Sequence, residues 1–512
     1  MFPTAIAGAS FTVTLENEEA TARFAVDIGV SLEPGDLVTL SGDLGAGKTT
    51  FARALIRELA GDRTIDVPSP TFTLIQAYDL KRFPLVHADF YRLGGAAELV
   101  ELGFDDLAEG TVVLLEWPDR AAGFLPPDRL DLTFTLAPQL GAEVRNARVI
   151  GYGAFAARVE RMAQVRGFLE DSGFAKAHRE RLQGDASTRI FERLKLGGKK
   201  AILMNAPRRP DGPPVRDGMP YSAIAHLAED IVPYVAIAAQ LRAHNISAPM
   251  ILDADLDHGM VIMEDLGEER IVGGNPPAPI EARYRAAVDL LASLHTQTLE
   301  DMLEVAPHLD YRLPPYDMGA FSIEAELLLD WYLPGAGIAV TDAMREDFTA
   351  LWSEALAPAL DAPATWVLRD YHSPNLLWLP DREDIARIGV LDFQDALIGP
   401  AAYDVASLLQ DARVDVPEEL EMALLGRYVR TRRADDRGFD VESFTQLYAT
   451  LAAQRATKIL GIFARLDQRD GKPQYLRHMP RLWTYLRRSL AHPALAPLEQ
   501  WYTANVPARD EL

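Results

Sequence analysis

The sequence lacks cysteine entirely in its 512 residues. This absence excludes thiol nucleophiles, cysteine-ligated zinc, iron–sulfur clusters and folds stabilised by disulfides. A metal ion would have to be bound by oxygen ligands or by one of the 10 histidines, and Mg²⁺ is the ion that we expect. With 25% charged and 48% hydrophobic residues, the composition is typical of a globular protein of two or three domains.

Basic residues are scarce as well, since 51 Lys and Arg stand against 75 Asp and Glu. The net charge of −24 divides into −10 over residues 1–152 and −14 over the rest, so neither part is basic. An acidic surface of this kind repels nucleic-acid backbones and anionic lipids. We therefore expect no membrane and no DNA partner, and a nucleic-acid substrate would have to be presented by a partner protein.

Long apolar runs are also missing. No stretch of about 18 consecutive apolar residues occurs, and the first 20 residues lack the basic and apolar segments of a secretion signal. These absences predict a cytoplasmic protein.

Two patterns of secondary structure follow one another along the chain. Up to about residue 153, short β-branched runs alternate with helical stretches, which predicts an α/β domain with a mostly parallel sheet. From residue 154 the pattern becomes a helix, a hairpin-like stretch at 184–206 and long amphipathic helices such as 281–295. We therefore predict two domains, 1–153 and 154–512, the second of the α+β class and rich in helix.

A phosphate-binding loop follows the first strongly apolar strand, residues 37–40. The segment fits G-x-x-x-x-G-K-[ST] and opens a helical run, as this motif requires. Its predicted nucleotide-binding residues are Gly42, Asp43, Leu44, Gly45, Ala46, Gly47, Lys48, Thr49 and Thr50. Backbone N–H groups would surround the phosphates, Lys48 would reach the terminal phosphates and the Thr49 hydroxyl would bind Mg²⁺. The ligand that this pattern predicts is ATP with Mg²⁺.

Two carboxylates end neighbouring predicted strands, where a parallel sheet places its ligand site. Asp89 ends the run PLVHAD and Glu116 ends the run TVVLLE. We predict that both act on the magnesium ion and the attacking water, although a helix-capping or ion-paired carboxylate is the alternative for each. His87 lies two residues before Asp89, on the same face of the strand, and packing alone would account for it.

This first domain resembles a known family in an ordered set of motifs. GDLGAGKTT (42–50), VPSPTFTLIQAY (67–78), VHADFYRL (86–93) and LLEWPDR (114–120) are similar to the small ATPase of bacterial tRNA threonylcarbamoyladenosine biosynthesis, the TsaE or YjeE type. The resemblance implies nucleotide contacts from Lys48 and the loop, and Thr49, Asp89 and Glu116 at the magnesium and water. Thr21 and Arg148 match, more weakly, two positions that lie near the nucleotide in that family. It also implies partner proteins, the threonylcarbamoyl-transferase complex, which would explain how an acidic domain serves a tRNA reaction.

A second catalytic pattern lies near residue 370. Asp370 and Asn375 have the spacing of the kinase catalytic loop H-R-D-x-x-x-x-N, and Asp392 follows the apolar strand IGVL. Phosphoryl transfer needs a carboxylate that takes the acceptor proton, an amide oxygen on the metal and a second carboxylate that bridges metal and phosphates. Asp370, Asn375 and Asp392 supply these three groups in the order in which they occur along a kinase sequence.

Other kinase-like segments stand in the expected order. The segment Gly184-Asp-Ala-Ser187-Thr188-Arg189 precedes a β-like run, and we predict that Ser187, Thr188 and Arg189 cover the phosphates. The segment VIMEDLG (261–267), which contains Glu264, predicts a strand and a hinge whose backbone holds adenine.

Residues 158–505 resemble the aminoglycoside phosphotransferase-like kinases, in particular the bacterial amino-sugar kinases of the AmgK type. The segments that carry this likeness are GDAST (184–188), ILMNAP (202–207), LRDYHSPNLLWL (368–379), 389–413 and QRATKILGIFARL (454–466). The resemblance implies ATP-dependent phosphorylation of the anomeric hydroxyl of N-acetylmuramate and N-acetylglucosamine in cell-wall recycling. Met204 stands where a protein kinase has its strand lysine, so Arg189, Lys199 or Lys200 would have to replace it.

Several questions stay open in the sequence. Asp395, Asp404 and the segment 411–413 are expected either to orient the acceptor or to serve as caps and ion pairs. The set Gln454, Arg455 and Lys458 shares a helix face and could contact either the sugar or the scaffold. At the level of function, the first domain could instead be a nucleotide-gated regulatory module. The second could phosphorylate an aminoglycoside, a choline-like or a homoserine-like alcohol.

Overall fold

The computed structural model describes residues 7–93, 110–121, 125–182, 189–208 and 212–506. The chain divides into two compact units, Met1–Asn205 and Ala206–Leu512. Each unit carries one of the two predicted catalytic patterns, and each is described by itself.

The first unit contains a seven-stranded sheet with the strand order β1-β7-β6-β2-β5-β4-β3. Its strands are β1 Ala7–Leu15, β2 Leu37–Ser41, β3 Ile75–Asp79, β4 Pro84–Asp89, β5 Val112–Glu116, β6 Arg129–Leu136 and β7 Arg145–Tyr152. The helices beside it are α1 Glu18–Ser31, α2 Lys48–Ala60 and α3 Phe155–Asp171. Apolar clusters cover both faces of its central strands, as the near-continuous apolar runs predict.

Only the centre of this sheet is parallel. Strand β2 pairs in parallel with β5 and β6, and β4 pairs in parallel with β5. Strands β3 and β4, β6 and β7, and β1 and β7 pair antiparallel. The expectation of a mostly parallel sheet is therefore wrong at the two edges. The connections β3–β4 and β6–β7 are too short for the crossover that parallel neighbours require, so they can only form hairpins.

The first unit also includes a small antiparallel meander, β8 His178–Leu182, β9 Ile190–Leu196 and β10 Lys199–Asn205. A buried ion network lies beside it. Asp27 of α1 pairs with Arg166 of α3 and with Arg179 of β8, and Arg179 also donates 2.7 and 2.9 Å hydrogen bonds to Glu192 of β9. Because each buried charge here has an opposite partner, this network joins α1, α3 and the meander without leaving an uncompensated ion.

The second unit is built mainly from helices. Its helices are α4 Tyr221–Ile224, α5 Val232–Ala243, α6 Glu281–Leu294, α7 Met318–Ala325, α8 Leu333–Gly335, α9 Asp342–Asp361, α10 Ala402–Leu409, α11 Glu418–Asp435, α12 Val441–Gln468, α13 Met479–Leu490 and α14 Ala496–Asn505. Short antiparallel strand pairs accompany them: β11 Pro214–Arg216 with β12 Met219–Pro220, β13 Ile251–Asp255 with β14 Met260–Glu264, β15 Val272–Gly273 with β16 Ala278–Pro279, β17 Met302–Ala306 with β18 Leu309–Arg312, β19 Ala364–Val367 with β22 Leu397–Pro400, and β20 Leu376–Trp378 with β21 Ile388–Val390.

The catalytic pattern of the second unit lies on the last two strand pairs. Strand β19 leads directly into Asp370, a short 3₁₀ turn at Ser373–Asn375 leads into β20, and β21 ends just before Asp392. Among the described helices, none is both long and apolar enough to cross a membrane.

Candidate functional sites

The phosphate loop lies between the end of β2 and the start of α2. Gly42, Gly45 and Gly47 all have positive φ angles, of 136°, 77° and 107°. A Cβ atom at Gly42 would approach the carbonyl oxygen of Phe134 to 2.3 Å, so the backbone of β6 leaves no room for a side chain there. Gly47 is the N-cap of α2 and has no side chain that could fill the space in front of the helix. The loop therefore presents free backbone N–H groups at a helix N-terminus, as phosphate binding requires.

Lys48 lies folded over this loop. Its Nζ donates hydrogen bonds to the carbonyl oxygens of Gly42 at 2.7 Å and Asp43 at 3.0 Å, and it lies 3.9 Å from the ring centroid of Trp117. Burial lowers the pKa of Lys48, and the charge of Glu116 opposes that shift. The lysine is held by weak acceptors and an aromatic face, which a phosphate group can replace.

Glu116 joins the loop to the centre of the sheet. Its carboxylate is 1% exposed at the residue level, and Thr49 Oγ1 donates a 3.0 Å hydrogen bond to Oε2. The other oxygen lies 3.0 Å from His87 Nε2. This distance is that of a hydrogen bond between the ring and the carboxyl group. His87 is therefore more than a packing residue, because it orients Glu116.

Asp89 lies beside Glu116 on the neighbouring parallel strand, in the same register position. Its Oδ2 accepts hydrogen bonds from Thr71 at 2.8 Å and Ser69 at 3.4 Å, and its Oδ1 accepts the backbone N–H of Tyr91 at 3.0 Å. The segment that contains Ser69 and Thr71 thus depends on Asp89 for its anchoring to the sheet. A metal ion or a water molecule could replace the hydroxyl groups that donate to Asp89.

Thr21 and Arg148, the two residues that match the family's nucleotide positions more weakly, lie in different elements. Thr21 is buried in α1 and its hydroxyl donates to the backbone oxygen of Asn17 at 3.2 Å. Arg148 is exposed in the middle of β7, opposite Thr12 and Thr133. The structure instead places Arg145, at the start of β7, against the phosphate loop, since its Cγ lies 4.0 Å from a Cβ built on Gly47. No spacing rule in the sequence points to Arg145, because a hairpin brings it there.

The oxygen atoms around the loop fit Mg²⁺. The Thr49 hydroxyl and the Glu116 carboxylate lie within 3.0 Å of each other, and Asp89 ends the adjacent strand. In the described ranges no three His, Asp or Glu side chains converge into a ready metal cage. This agrees with Mg²⁺, which proteins commonly hold through one or two carboxylates, a hydroxyl, water and substrate phosphates.

In the second unit, Asp370 and Asn375 share one loop. Asn375 Nδ2 donates a 3.0 Å hydrogen bond to the backbone oxygen of Asp370, so its amide oxygen is the atom left for a metal ion. The side chain of Asp370 is 37% exposed. Burial raises the pKa of Asp370, but the neighbouring charges, among them Lys458 and Arg369, lower it by more, so the carboxyl group is ionised at neutral pH. A group in this state can accept a proton from a hydroxyl.

Asp392 comes directly after β21. Strand β21 pairs with β20, and the backbone N–H of Leu391 donates to the carbonyl oxygen of Asn375 at 2.9 Å. Asp392 itself has a positive φ of 56°, and its Oδ1 accepts a 3.0 Å hydrogen bond from Gln394 Nε2. The hairpin therefore brings Asn375 and Asp392 together, which is the arrangement that a shared metal ion needs.

Two buried acids hold the catalytic loop in place. Asp404 on α10 accepts the backbone N–H groups of Leu368 at 2.6 Å and Arg369 at 2.8 Å. Asp411 accepts the backbone N–H of Ser373 at 2.9 Å as well as its hydroxyl. The sequence leaves two roles open for these acids. The structure favours the one in which they hold the catalytic loop over the one in which they contact the acceptor directly. Asp395 likewise accepts a backbone N–H, that of Ala228, at 2.7 Å.

His372 lies between these supports and Asp370. Arg413 Nη1 lies 2.8 Å from His372 Nε2. Because a guanidinium can only donate, Nε2 is the acceptor, and the neutral ring carries its proton on Nδ1. Burial lowers the pKa of His372 to about 4, so the ring is neutral at physiological pH. Nδ1 lies 4.0 Å from Asp370 Oδ1 and has no hydrogen-bond partner within the described part of the chain.

The helix face with Gln454 and Lys458 belongs to the scaffold. Both side chains donate to Glu324 on α7, at 3.2 and 2.6 Å, and Arg369 forms an ion pair with the same carboxylate. Burial raises the pKa of Glu324, but Arg369 and Lys458 lower it to about 2, so the carboxyl stays ionised. This cluster fixes α7 and α12 against the catalytic loop.

The other described residues that the sequence predicts for the kinase site lie partly in the first unit and partly in the second. Ser187 and Thr188 lie outside the described residues. Arg189 immediately precedes β9 in the first unit, and Lys199 and Lys200 are exposed at the start of β10. Glu264 ends β14; its side chain is engaged by Arg242 at 3.1 Å and by Arg382. That backbone groups from this position onward hold an adenine ring stays a prediction.

Comparison with known proteins finds a family for each part of the chain. Residues 15–144 match the family model "Threonylcarbamoyl adenosine biosynthesis protein TsaE", and residues 178–440 match "Phosphotransferase enzyme family". The tRNA threonylcarbamoyladenosine biosynthesis protein TsaE of Rickettsia felis is 42% identical over 118 residues, 23% of this chain and 68% of that protein.

Relatives of the second part cover more of the chain. The N-acetylmuramate/N-acetylglucosamine kinase of Caulobacter vibrioides is 39% identical over 361 residues, 68% of this chain and 97% of that protein. The protein of the same name from Pseudomonas aeruginosa is 32% identical over 320 residues, 61% of this chain and 84% of that protein. The chain therefore belongs to two families at once, to the TsaE family through its N-terminal part and to the phosphotransferase enzyme family through its C-terminal part.

Proposed function

We propose that the chain is a bifunctional enzyme that uses ATP in two unrelated reactions. The N-terminal part hydrolyses ATP for the threonylcarbamoyladenosine modification of tRNA. The C-terminal part transfers a phosphoryl group from ATP to the anomeric hydroxyl of N-acetylmuramate or N-acetylglucosamine. Both reactions belong in the cytoplasm, and the functional boundary that we propose lies at residue 153.

The observation that supports the first activity is the contact between the phosphate loop and Glu116. Thr49 and Glu116 lie 3.0 Å apart and would hold Mg²⁺ together, while Lys48 would exchange its carbonyl partners for phosphate oxygens. When bound, the ion neutralises charge on the phosphates. Asp89 and Glu116 are the groups available to orient the attacking water, and His87 keeps Glu116 in position.

The partners that we propose for this part are proteins of the threonylcarbamoyl-transferase complex. The charge of −10 over residues 1–152 disfavours direct contact with RNA phosphates. The tRNA would then be reached only through those proteins.

The observation that supports the second activity is the joint placement of Asp370, Asn375 and Asp392 on one hairpin-linked loop. Asp370 accepts the proton of the acceptor hydroxyl, and Asn375 and Asp392 are the residues that would hold Mg²⁺. Selection of an amino sugar as the acceptor is supported by the 39% identity to the Caulobacter kinase across 97% of that protein.

A product assay on the full chain tests this proposal. The chain is incubated with ATP, Mg²⁺ and each member of a panel that contains the two amino sugars, an aminoglycoside, choline and homoserine. We expect a sugar 1-phosphate, identified by ³¹P NMR, at one ATP per sugar after the ATP hydrolysed in the absence of sugar is subtracted. Transfer to another alcohol and to neither sugar would replace the proposed acceptor.

A second assay addresses the alternative that the N-terminal part is a nucleotide-gated regulatory module. ATP hydrolysis is measured without sugar, with and without the threonylcarbamoyl-transferase proteins. Sustained turnover that rises with those proteins supports the ATPase. A kinase rate that depends on nucleotide bound at the N-terminal part, with no turnover there, would favour the regulatory module.

A further inference from the structure

Arg455 on α12 is a largely buried cation with no hydrogen-bond or ion-pair partner among the residues that the structure describes. The residue is 6% exposed. Within the described residues, its guanidinium donates no hydrogen bond to a side chain or a carbonyl and lies within 4.0 Å of no carboxylate oxygen. None of its guanidinium nitrogens is among the buried polar atoms that lack a hydrogen-bond partner, so the head group keeps contact with solvent. A cation that is open to solution in this way can receive an anionic group of a ligand.

The polar neighbours of Arg455, unlike Arg455 itself, contact a carboxylate. Gln454 and Lys458 on the same helix, and Arg369 on the catalytic loop, all contact the carboxylate of Glu324. Glu324 thus neutralises two cations, Lys458 and Arg369. With the Tyr316 hydroxyl as a further donor, its two oxygens accept four contacts, and none of the four comes from Arg455.

The position of Arg455 follows from its neighbours on α12. Gln454 and Lys458 contact Glu324, and Glu324 pairs with Arg369, the residue before Asp370. In agreement with this placement, burial has the largest influence on the pKa of Asp370 and Asp404, and the charge of Arg455 lowers both pKa values. Arg455 therefore lies on the side of the catalytic loop where α12 packs.

A second unsatisfied donor lies in the same place. His372 Nδ1, which carries the ring proton, is buried, has no hydrogen-bond partner in the described segments and lies 4.0 Å from Asp370 Oδ1. Two donors that lack acceptors, both next to the catalytic carboxylate, mark a site for an acceptor-rich ligand. With one full positive charge there, the ligand group should be an anion.

We propose that Arg455 binds the carboxylate of the acceptor and so makes the C-terminal site selective for a carboxylate-bearing amino sugar over its neutral counterpart. This inference rests on the proposed sugar kinase function. Of the two proposed acceptors, N-acetylmuramate carries a lactyl carboxylate and N-acetylglucosamine does not. A planar guanidinium matches a carboxylate with two parallel hydrogen bonds, which a lysine ammonium cannot reproduce.

The test compares both sugars on variants of the full chain. Arg455→Met removes the charge and keeps most of the apolar stem, and Arg455→Lys keeps the charge but loses the two-pronged geometry. Arg430→Met, at an exposed arginine of α11, is the matched control. The values of kcat and KM are measured for N-acetylmuramate, for its lactyl amide, for N-acetylglucosamine and for ATP.

For Arg455→Met we expect kcat/KM for N-acetylmuramate to fall about 10- to 100-fold, mainly through KM, while N-acetylglucosamine changes less than about 3-fold. On the unmodified chain, the lactyl amide should show the same loss, and Arg455→Met should add nothing to it. Arg455→Lys should recover part of the affinity. Arg430→Met should behave like the unmodified chain.

Three results would overturn the inference. Equal losses for both sugars, with a shifted pH profile, would mean that Arg455 acts on Asp370 instead. A raised KM for ATP with either sugar would place it on the phosphates. Unchanged kinetics with N-acetylmuramate would make it part of the scaffold.

Failure of the proposed function gives a different result. If the unmodified chain phosphorylates neither sugar, calorimetric titration with N-acetylmuramate separates the two proposals. Binding that is lost in Arg455→Met and kept in Arg430→Met would retain the carboxylate site while rejecting the reaction. Absence of binding would reject both.

Discussion

Thr49 donates a 3.0 Å hydrogen bond to Glu116, and this contact ties the first turn of α2 to the carboxyl end of β5. The two residues are 67 positions apart in the sequence, and the parallel pairing of β2 with β5 brings them together. His87 holds the other oxygen of the same carboxylate. The chemistry of the ATPase site is therefore organised around Glu116.

Glu116→Gln keeps the size of the side chain and the contact with Thr49 but removes the charge. We expect kcat for ATP hydrolysis to fall about 100-fold, with the nucleotide Kd within about 3-fold, because the partners of Glu116 are metal and water. Asp89→Asn should act in the same direction. Single-turnover kinetics and nucleotide titration measure the two quantities separately. A loss of affinity alone, with bound ATP turned over normally, would remove both carboxylates from the chemistry.

Lys48→Ala should abolish ATP hydrolysis and leave sugar phosphorylation intact. In the described part of the chain, the lysine contacts the phosphate loop and Trp117, so we expect it to support one of the two nucleotide sites. Both activities are measured on the same preparation, with ³¹P NMR for the sugar product. If sugar phosphorylation also stopped, the two reactions would share a site or depend on each other.

Asp370→Asn should lower phosphoryl transfer by about 10²- to 10⁴-fold with little change in ATP affinity, because the amide cannot accept the acceptor proton. Asp392→Asn should differ, since it loses a proposed metal ligand and should weaken Mg·ATP binding along with the rate. ATP titration of each variant at several Mg²⁺ concentrations distinguishes the two effects. Normal sugar phosphorylation by Asp370→Asn would exclude it as the base.

The full chain should bind free tRNA poorly at physiological salt. Its net charge is −24, and −10 of that lies in residues 1–152, so few phosphates could be neutralised. Filter binding over a salt series measures this, with the threonylcarbamoyl-transferase proteins added in a parallel series. Tight binding without those proteins would show a direct RNA surface.

Asp404→Asn should change how stability depends on pH. Burial raises the pKa of Asp404 from 3.8 to about 7. The folded chain therefore holds a proton that the unfolded chain releases near pH 4, and this group makes stability fall as pH rises towards 7. The slope is at most about 1.4 kcal/mol per pH unit, and it vanishes above that range. Urea unfolding followed at several pH values should show this slope in the unmodified chain and lose it in the variant; equal slopes would contradict the assignment.

The sequence was sufficient for the two family assignments, and both are confirmed. Each depends on short motifs whose spacing is local. The glycines of residues 42–47 are dictated by positive φ angles and by the close approach of β6, and Asn375 lies one short turn from Asp370. Such features are encoded within a few residues, so they can be read before the fold is known.

Local sequence could not assign the partners of buried polar groups. His87 resembled a packing histidine until β4 and β5 placed it 3.0 Å from Glu116. Arg145 reaches the phosphate loop only through the β6–β7 hairpin. These relationships join residues far apart in the chain, and pairing of strands rather than spacing creates them.

The sequence by itself determined which chemical groups the protein carries: a phosphate loop, three carboxylates after apolar strands, and an amide at kinase spacing. Only the tertiary structure decided which of the charged residues are neutralised and which are left for a ligand. Gln454, Arg455 and Lys458 lie on one helix face, yet among the described residues Glu324 accepts hydrogen bonds from Gln454 and Lys458 and none from Arg455. The physical reason is that burial makes an unpaired charge costly, and pairing depends on distances that only the packed helices set.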